Sequence, residues 1–215
     1  RRYSDSAPQV TLAVWLGFLA ASILIAVTPG PGAVISMSTG MRHGYWSALM
    51  AILGLQAAIL VHLAIVALGL GAVLAASESA FFLIKILGAA YLVWLGIQKW
   101  RAPAIPIDAN VPTVRSKGLF LQGVLVNLTN PKAIVFIAAL VPQFVDPAQP
   151  QLQQYLLIAA TLCATDLAVM SGYALAAVHL GRWLHDPAAI RGQNRFFGGL
   201  FISAGALLAA SSRPI

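Results

Sequence analysis

The chain has 215 residues, of which 60% are hydrophobic and 9% charged, and its mean hydropathy is +0.84. This composition leaves too little polar surface for a soluble domain, so it predicts an all-α membrane protein that crosses the lipid bilayer several times. The net charge is +7, but most basic residues fall between apolar runs, which favours contact with the membrane surface and not with nucleic acid.

Six apolar runs follow one another along the chain, and each is long enough to cross a bilayer. About 20 residues, rising roughly 1.5 Å each, span the hydrocarbon core. The runs lie at about 11–39, 44–74, 80–101, 117–141, 152–180 and 194–212. They predict six transmembrane helices.

One connection, at 102–116, is longer than the others and rich in proline, with basic residues at or beside its ends. We interpret it as the linker between two halves of three helices each. The predicted organisation is an N-terminal tail (1–10), a first three-helix repeat (11–101), a cytoplasmic linker (102–116) and a second three-helix repeat (117–212). Because three is odd, the second half enters the membrane with the opposite orientation, and the repeat is inverted.

The first and fourth runs are each interrupted by proline, at 28–32 (TPGPG) and at 127–132 (NLTNPK). An offset of 101 residues places Thr28 on Thr129, and the two interruptions then coincide. Proline removes a backbone donor and breaks the helix, and loosened backbone is tolerated at membrane depth only where it faces protein or water. Corresponding breaks in two halves indicate a transporter site built from half-helices. The alternative is a pair of ordinary proline kinks.

Lysine and arginine are distributed unevenly between the two sides that this arrangement defines. Eight of them fall on the side of the linker and three on the side of the termini. Because cytoplasmic loops carry the excess of positive charge, we expect the linker inside the cell and both termini outside.

Several polar side chains lie deep within the predicted spans. Gln56 falls near the middle of the second span and needs a hydrogen-bond partner there. Lys132 and Asp166 are the deep cation and the deep carboxylate, so they are either direct partners or two poles of one cavity. Tyr173 follows Asp166 by seven residues on the same helical face, and we expect its hydroxyl to hold the carboxylate. The single cysteine, Cys163, excludes an internal disulfide.

The motifs TPGPG (28–32), GAAYLVWLG (88–96) and NLTNPKA (127–133) with PQF (142–144) resemble the LysE/RhtB family of amino-acid exporters. Within that family the chain is most similar to the homoserine and homoserine-lactone efflux branch. The resemblance implies a bacterial inner-membrane protein, a homodimer, and export of small amino acids or their lactones driven by the proton motive force. It implies no cofactor.

The residues predicted to bind substrate share the two breaks and the deep polar positions. They are Thr28, Pro29, Gly30, Pro31, Gly32, Gln56, Asn127, Asn130, Pro131 and Lys132. The half-helix after Pro31 aims backbone amides at a substrate carboxylate, and Lys132 adds a full charge. Asp166, with Tyr173, takes the substrate ammonium or a proton, and exchange of one for the other couples efflux to proton entry.

Three other functions are weighed against export. The first is a membrane-embedded enzyme, but the sequence contains none of the common hydrolytic motifs. A metal exporter of the same fold finds a poor ligand set in four scattered histidines and one cysteine, and no metal site is predicted. A passive amino-acid channel is the alternative that the sequence excludes least well.

Overall fold

The structure, a computed structural model, describes residues 12–76, 78–103, 118–146, 148–180 and 186–210. Eight α-helices make up most of these ranges, and a short 3-10 helix, Val141–Phe144, follows the sixth. The α-helices are α1 (Leu12–Val27), α2 (Pro31–His43), α3 (Tyr45–Ala76), α4 (Glu78–Arg101), α5 (Leu119–Leu128), α6 (Pro131–Leu140), α7 (Gln151–Leu180) and α8 (Pro187–Ala210). The predicted N-terminal tail and almost all of the predicted linker lie outside the described residues.

The two predicted helix breaks are confirmed. α1 and α2 meet at an angle of 54°, and α5 meets the α6 segment at 56°. In both places the second helix begins on a proline, which is pre-set for the first helical position and lacks the N–H that would continue the preceding helix.

By length and hydropathy, two of the described helices can cross a membrane, at Tyr45–Gly69 in α3 and Gln151–Ala177 in α7. Each bent pair can also cross if it counts as one span. The described ranges therefore support a multi-pass membrane protein, while the six-span inverted repeat stays a prediction.

The last helix begins at Pro187, earlier than the predicted 194. The Asp186 side chain accepts a hydrogen bond from the Ala188 amide at 2.9 Å, and Pro187 takes the first helical position. An acidic N-cap followed by proline is a strong helix start. The predicted start followed only the strongly apolar run, whereas the first two turns of this helix are mostly exposed and include Arg191 and Gln193.

Glycines bring pairs of helices into close contact. A Cβ added at Gly123 of α5 would lie 2.0 Å from the Ala51 carbonyl oxygen of α3, and one added at Gly54 would lie 2.0 Å from the Phe120 oxygen. Gly96 of α4 and Gly198 of α8 approach each other's backbone in the same way. These crossings leave no room for a side chain, and such small residues let membrane helices approach closely.

The turn between α2 and α3 depends on a glycine for its conformation. Gly44 has φ of +78°, the left-handed region that costs other residues energy, and its amide donates to the Gly40 carbonyl.

The apolar interior consists of two clusters. One joins α1, α3, α6 and α7 through side chains such as Phe18, Ile59 and Phe136. The other joins α2, α3 and α7 around Ile52 and Met170. The candidate site lies where the two clusters meet, because its wall takes apolar side chains from both.

Candidate functional site

A cavity of about 50 Å³ lies between the two helix breaks. Because a single water needs roughly 10–15 Å³ on this measure, the cavity has room for a few water molecules. Helices α1, α2, α3, α5, α6 and α7 all contribute to its wall. The polar residues on the wall are Ser22, Asn127, Asn130, Lys132, Thr165 and Asp166.

The first break leaves carbonyls without their usual helical partners. In a continuous helix the Ile25 and Val27 oxygens accept from the residues four positions later, but these are Pro29 and Pro31, which have no N–H. Side chains from distant parts of the chain replace both donors. Lys132 Nζ donates to the Ile25 oxygen at 2.9 Å, and the Tyr173 hydroxyl donates to the Val27 oxygen.

Two lysines meet at this break. Lys132 Nζ also donates to the Thr28 oxygen at 2.6 Å, and Lys99 Nζ donates to the Pro29 oxygen at 3.2 Å. The C-terminal end of a helix carries partial negative charge, so two ammonium groups are well placed there. The first break is therefore held by cations from α4 and α6.

The second break is held by its own asparagines. Asn130 Oδ1 accepts from the Lys132 amide at 3.1 Å and so caps α6, while Asn130 Nδ2 donates to Asn127 Oδ1 at 3.1 Å. Asn127 Nδ2 in turn donates to the Leu55 carbonyl of α3 at 3.0 Å. Both asparagines are buried, at 6% and 4% exposure, so these bonds satisfy groups that are costly to leave unpaired.

The start of α2 opens on the cavity. Gly32 and Ala33, in the first turn, are part of the wall. The N-cap residue is Gly30, which has no side chain to cap the helix. The first amides of a helix have no intrahelical acceptor, and this end carries partial positive charge. The field at the α2 start thus favours negative charge, whereas the α6 start is already capped by Asn130.

Asp166 is held by Gln56. The Gln56 Nε2 donates to Asp166 Oδ2 at 2.7 Å, so the buried Gln56 finds the hydrogen-bond partner that its depth requires. Asp166 lies on the cavity wall, and the amide fixes the direction of its carboxylate.

Lys132 and Asp166 lie on the wall of one cavity but do not form an ion pair within the described residues. The ammonium of Lys132 is taken up by the α1 carbonyls, and the carboxylate accepts from Gln56. Of the two predicted arrangements, direct partners or two poles of one cavity, the structure has the second.

The prediction that the Tyr173 hydroxyl holds Asp166 is wrong. The two residues share a helical face, but the hydroxyl reaches the Val27 carbonyl, whose own donor position is filled by proline. Leaving that buried carbonyl without a donor would be costly, and the hydroxyl satisfies it.

Comparisons with known proteins identify the family of this chain. The LysE type translocator profile matches residues 23–212. This chain belongs to the LysE type translocator family. It is 44% identical to the homoserine/homoserine lactone efflux protein of Salmonella typhimurium, over 94% of this chain and 98% of that protein. This likeness confirms the resemblance to the homoserine branch.

Two further relatives of this LysE-type chain extend the comparison. An uncharacterized membrane protein of Vibrio cholerae is 44% identical over 92% of this chain and 97% of its own length. A leucine efflux protein of an Enterobacter species is 27% identical over 90% and 93%. No solved structure matches the chain. The relatives that carry a functional name are efflux proteins and not enzymes.

The predicted site residues of this translocator divide into two groups. Those on the cavity wall are Gly32, Asn127, Asn130, Lys132 and Asp166. Those away from the wall, which form the breaks or contact the wall residues, are Thr28, Pro29, Gly30, Pro31, Gln56, Pro131 and Tyr173. The structure thus brings both breaks and the deep charges of the LysE-type chain to one place.

The sequence did not indicate Lys99 as part of this site, nor the wall residues Ser22 and Thr165. The position of Lys99 near the end of α4 placed it among the basic residues predicted for the cytoplasmic side, yet its ammonium reaches the first break. The freed carbonyls predict that some donor is needed, but no pattern in the sequence shows which lysine supplies it. Within the described ranges, no three His, Cys, Asp or Glu side chains converge on one point.

Proposed function

We propose that this chain exports small amino acids or their derivatives, such as homoserine, homoserine lactone and threonine-like compounds, across a bacterial inner membrane. The observation that carries the proposal is the cavity between the two breaks, which combines a helix start, a carboxylate and a lysine. The likeness to the Salmonella homoserine/homoserine lactone efflux protein supports the choice of substrate.

The charges around the cavity complement a zwitterion. The first turn of α2, at Gly32 and Ala33, suits the substrate carboxylate, since orphan amides and the helix dipole both favour an anion. Asp166 suits the substrate ammonium. Apolar side chains, among them Ile59, Phe136 and Leu162, form much of the remaining wall, and the small cavity favours a small substrate side chain.

Coupling to protons is assigned to Asp166. A buried carboxylate on the cavity wall can hold either a proton or the ammonium of the substrate. Export of the substrate then leaves the carboxylate ready for a proton from outside, and the proton motive force drives the cycle. Gln56 holds the carboxylate in place in both states.

The proposed architecture has two inverted three-helix repeats, both termini outside the cell, and a homodimer. The similar bends of 54° and 56° at corresponding positions support the repeat. The excess of basic residues on the linker side supports the orientation. The homodimer rests on the family resemblance.

Counterflow in proteoliposomes tests the function directly. Purified protein is reconstituted with unlabelled substrate inside, and uptake of labelled homoserine, threonine, leucine and lysine is compared. We expect homoserine and threonine to exchange fastest. Failure of every amino acid to exchange contradicts the proposal.

A pH gradient separates the exporter from the passive channel. The exporter accumulates labelled substrate against its gradient when a proton gradient is imposed, whereas a channel only equilibrates it. Equal final distributions with and without the proton gradient favour the channel. A divalent metal cation that moves in place of the amino acids favours the metal exporter of the same fold.

A further inference from the structure

We propose that the carbonyl oxygens of Ile25 and Thr28 form the binding site for the primary ammonium group of the substrate, and that Lys132 occupies this site in the empty protein. The inference rests on the proposed function, because it assigns one end of the exported amino acid or lactone. It adds a site made of backbone at the broken end of α1.

The geometry of the Lys132 ammonium is that of a bound cation. Its Nζ donates to two main-chain oxygens, at 2.9 Å to Ile25 and 2.6 Å to Thr28. Ile25 and Lys132 both belong to the cavity wall, so the carbonyl site adjoins the cavity proposed to receive the substrate. Freed carbonyls and half-helix C-terminal ends are the groups that hold cations in transporters with broken helices.

A substrate ammonium has the same chemistry as the group that fills the site. Both are protonated primary amines with three N–H donors and no acceptor. Lys132 reaches the carbonyls from α6 on a flexible four-carbon chain, so it can leave without movement of the helices. The inference therefore refines the role given above to Asp166, which is on the same cavity wall. The carbonyls hold the substrate ammonium, and Asp166 exchanges its proton for the displaced Lys132 ammonium.

The site also explains how one cavity suits both homoserine and its lactone. The lactone has no free carboxylate, so the two compounds share the ammonium as their charged group. A site that binds the ammonium through two carbonyl oxygens can bind both compounds, while the start of α2 contributes only to the binding of homoserine, through its carboxylate.

The inference gives Lys132 a different role from that of a residue that attracts the substrate carboxylate. If Lys132 competes with the substrate ammonium, its removal strengthens the binding of an ammonium ligand that has no carboxylate. If Lys132 only attracts the carboxylate, its removal weakens homoserine binding and leaves the lactone unchanged. Removal of a competing side chain raises the apparent affinity, because a larger fraction of the protein molecules then has an empty site.

Chemical rescue tests the site on purified full-length protein in detergent, without transport. Lys132→Ala leaves the two carbonyls unpaired and should lower the melting temperature. Methylammonium chloride, the smallest primary ammonium probe with a carbon, should raise it again by several degrees at millimolar concentrations. Tetramethylammonium, which has no N–H, should have no effect at equal ionic strength.

Lys99→Ala is the matched control, because Lys99 bonds a carbonyl of the same break. Methylammonium should stabilise this variant no more than it stabilises the wild type. Equal rescue of both variants, rescue by tetramethylammonium, or equal rescue by sodium chloride overturns the proposal. If Lys132→Ala does not fold by itself, it is purified with methylammonium present throughout. Failure to obtain folded protein under that condition also contradicts the proposed site.

Lys132→Gln provides a second variant, which keeps a donor for one carbonyl and removes the charge. Calorimetric titration with homoserine lactone should give a dissociation constant about tenfold lower for this variant than for the wild type. An unchanged or higher constant contradicts the inference. These measurements are independent of the counterflow assay. If the protein transports amino acids but shows no rescue, only this inference is refuted. If it shows rescue but transports no amino acid, only the proposed function is refuted.

Discussion

Gly123→Ala should disturb the site through the contact between α3 and α5. The added Cβ would lie 2.0 Å from the Ala51 oxygen, while ordinary C···O contacts are about 3.3–3.6 Å. The two helices must therefore separate locally by on the order of 1 Å. Asn127 lies one turn after Gly123 and is bonded to Leu55, one turn after Ala51, so the same movement acts on that hydrogen bond.

The expected cost follows from these two contacts. Overpacking at a tight interface costs about 1–3 kcal/mol. Stretching the 3.0 Å bond from Asn127 to Leu55 beyond hydrogen-bond range leaves buried polar groups unpaired, at about 1–3 kcal/mol. On the scale of soluble domains of this length, the sum lowers the melting temperature by roughly 5–20 °C. Exchange of substrate should fall as well, because Asn127 positions the second break.

The assay is thermal unfolding of the purified protein in detergent, together with counterflow in proteoliposomes. Gly172→Ala, on α7, is the control, since a Cβ there meets no atom within 4 Å. Its melting temperature should equal that of the wild type or rise by up to about 4 °C, because alanine is the better helix former. A Gly123→Ala protein with wild-type melting temperature and exchange refutes the reasoning.

Three further predictions concern orientation, the second break and coupling. In a protein without Cys163, a cysteine at Asn110 should react with an impermeant thiol reagent from inside the cell, and one at Ser212 from outside. Labelling of position 110 from outside would mean that the topology is the reverse of the predicted one. Pro131→Ala should restore a continuous helix and reduce export much more than it reduces protein level, whereas near-normal export makes the break a packing feature only. Asp166→Asn keeps an oxygen that can accept from the Gln56 amide, so the protein should still fold and exchange substrate but no longer accumulate it in response to a pH gradient. If that accumulation persists, the carboxylate has no part in coupling.

The helix breaks and much of the cavity wall could be predicted because their causes are local. Proline removes a donor wherever it stands, and a deep polar side chain needs a partner whatever surrounds it. These two rules were enough to select Gly32, Asn130, Lys132 and Asp166, all of which reach one cavity.

The partners of these groups could not be predicted, because they depend on how distant helices pack. The donor for the Val27 carbonyl is Tyr173, from 146 residues later in the chain, and Gln56 in α3 is the group that meets Asp166 in α7. Helical periodicity places two residues on one face but does not show which neighbouring element that face meets. The role of Lys99 at the first break was hidden for the same reason.

The two breaks differ in when they can be completed during synthesis. The second break is capped by Asn130, within its own segment, so its bonds form as soon as that segment is made. The first break needs Lys99, Lys132 and Tyr173, all of which leave the ribosome after it. Until those three residues are made, the carbonyls of the first break lack their side-chain donors, so the hydrogen bonds of this break can be completed only after those of the second.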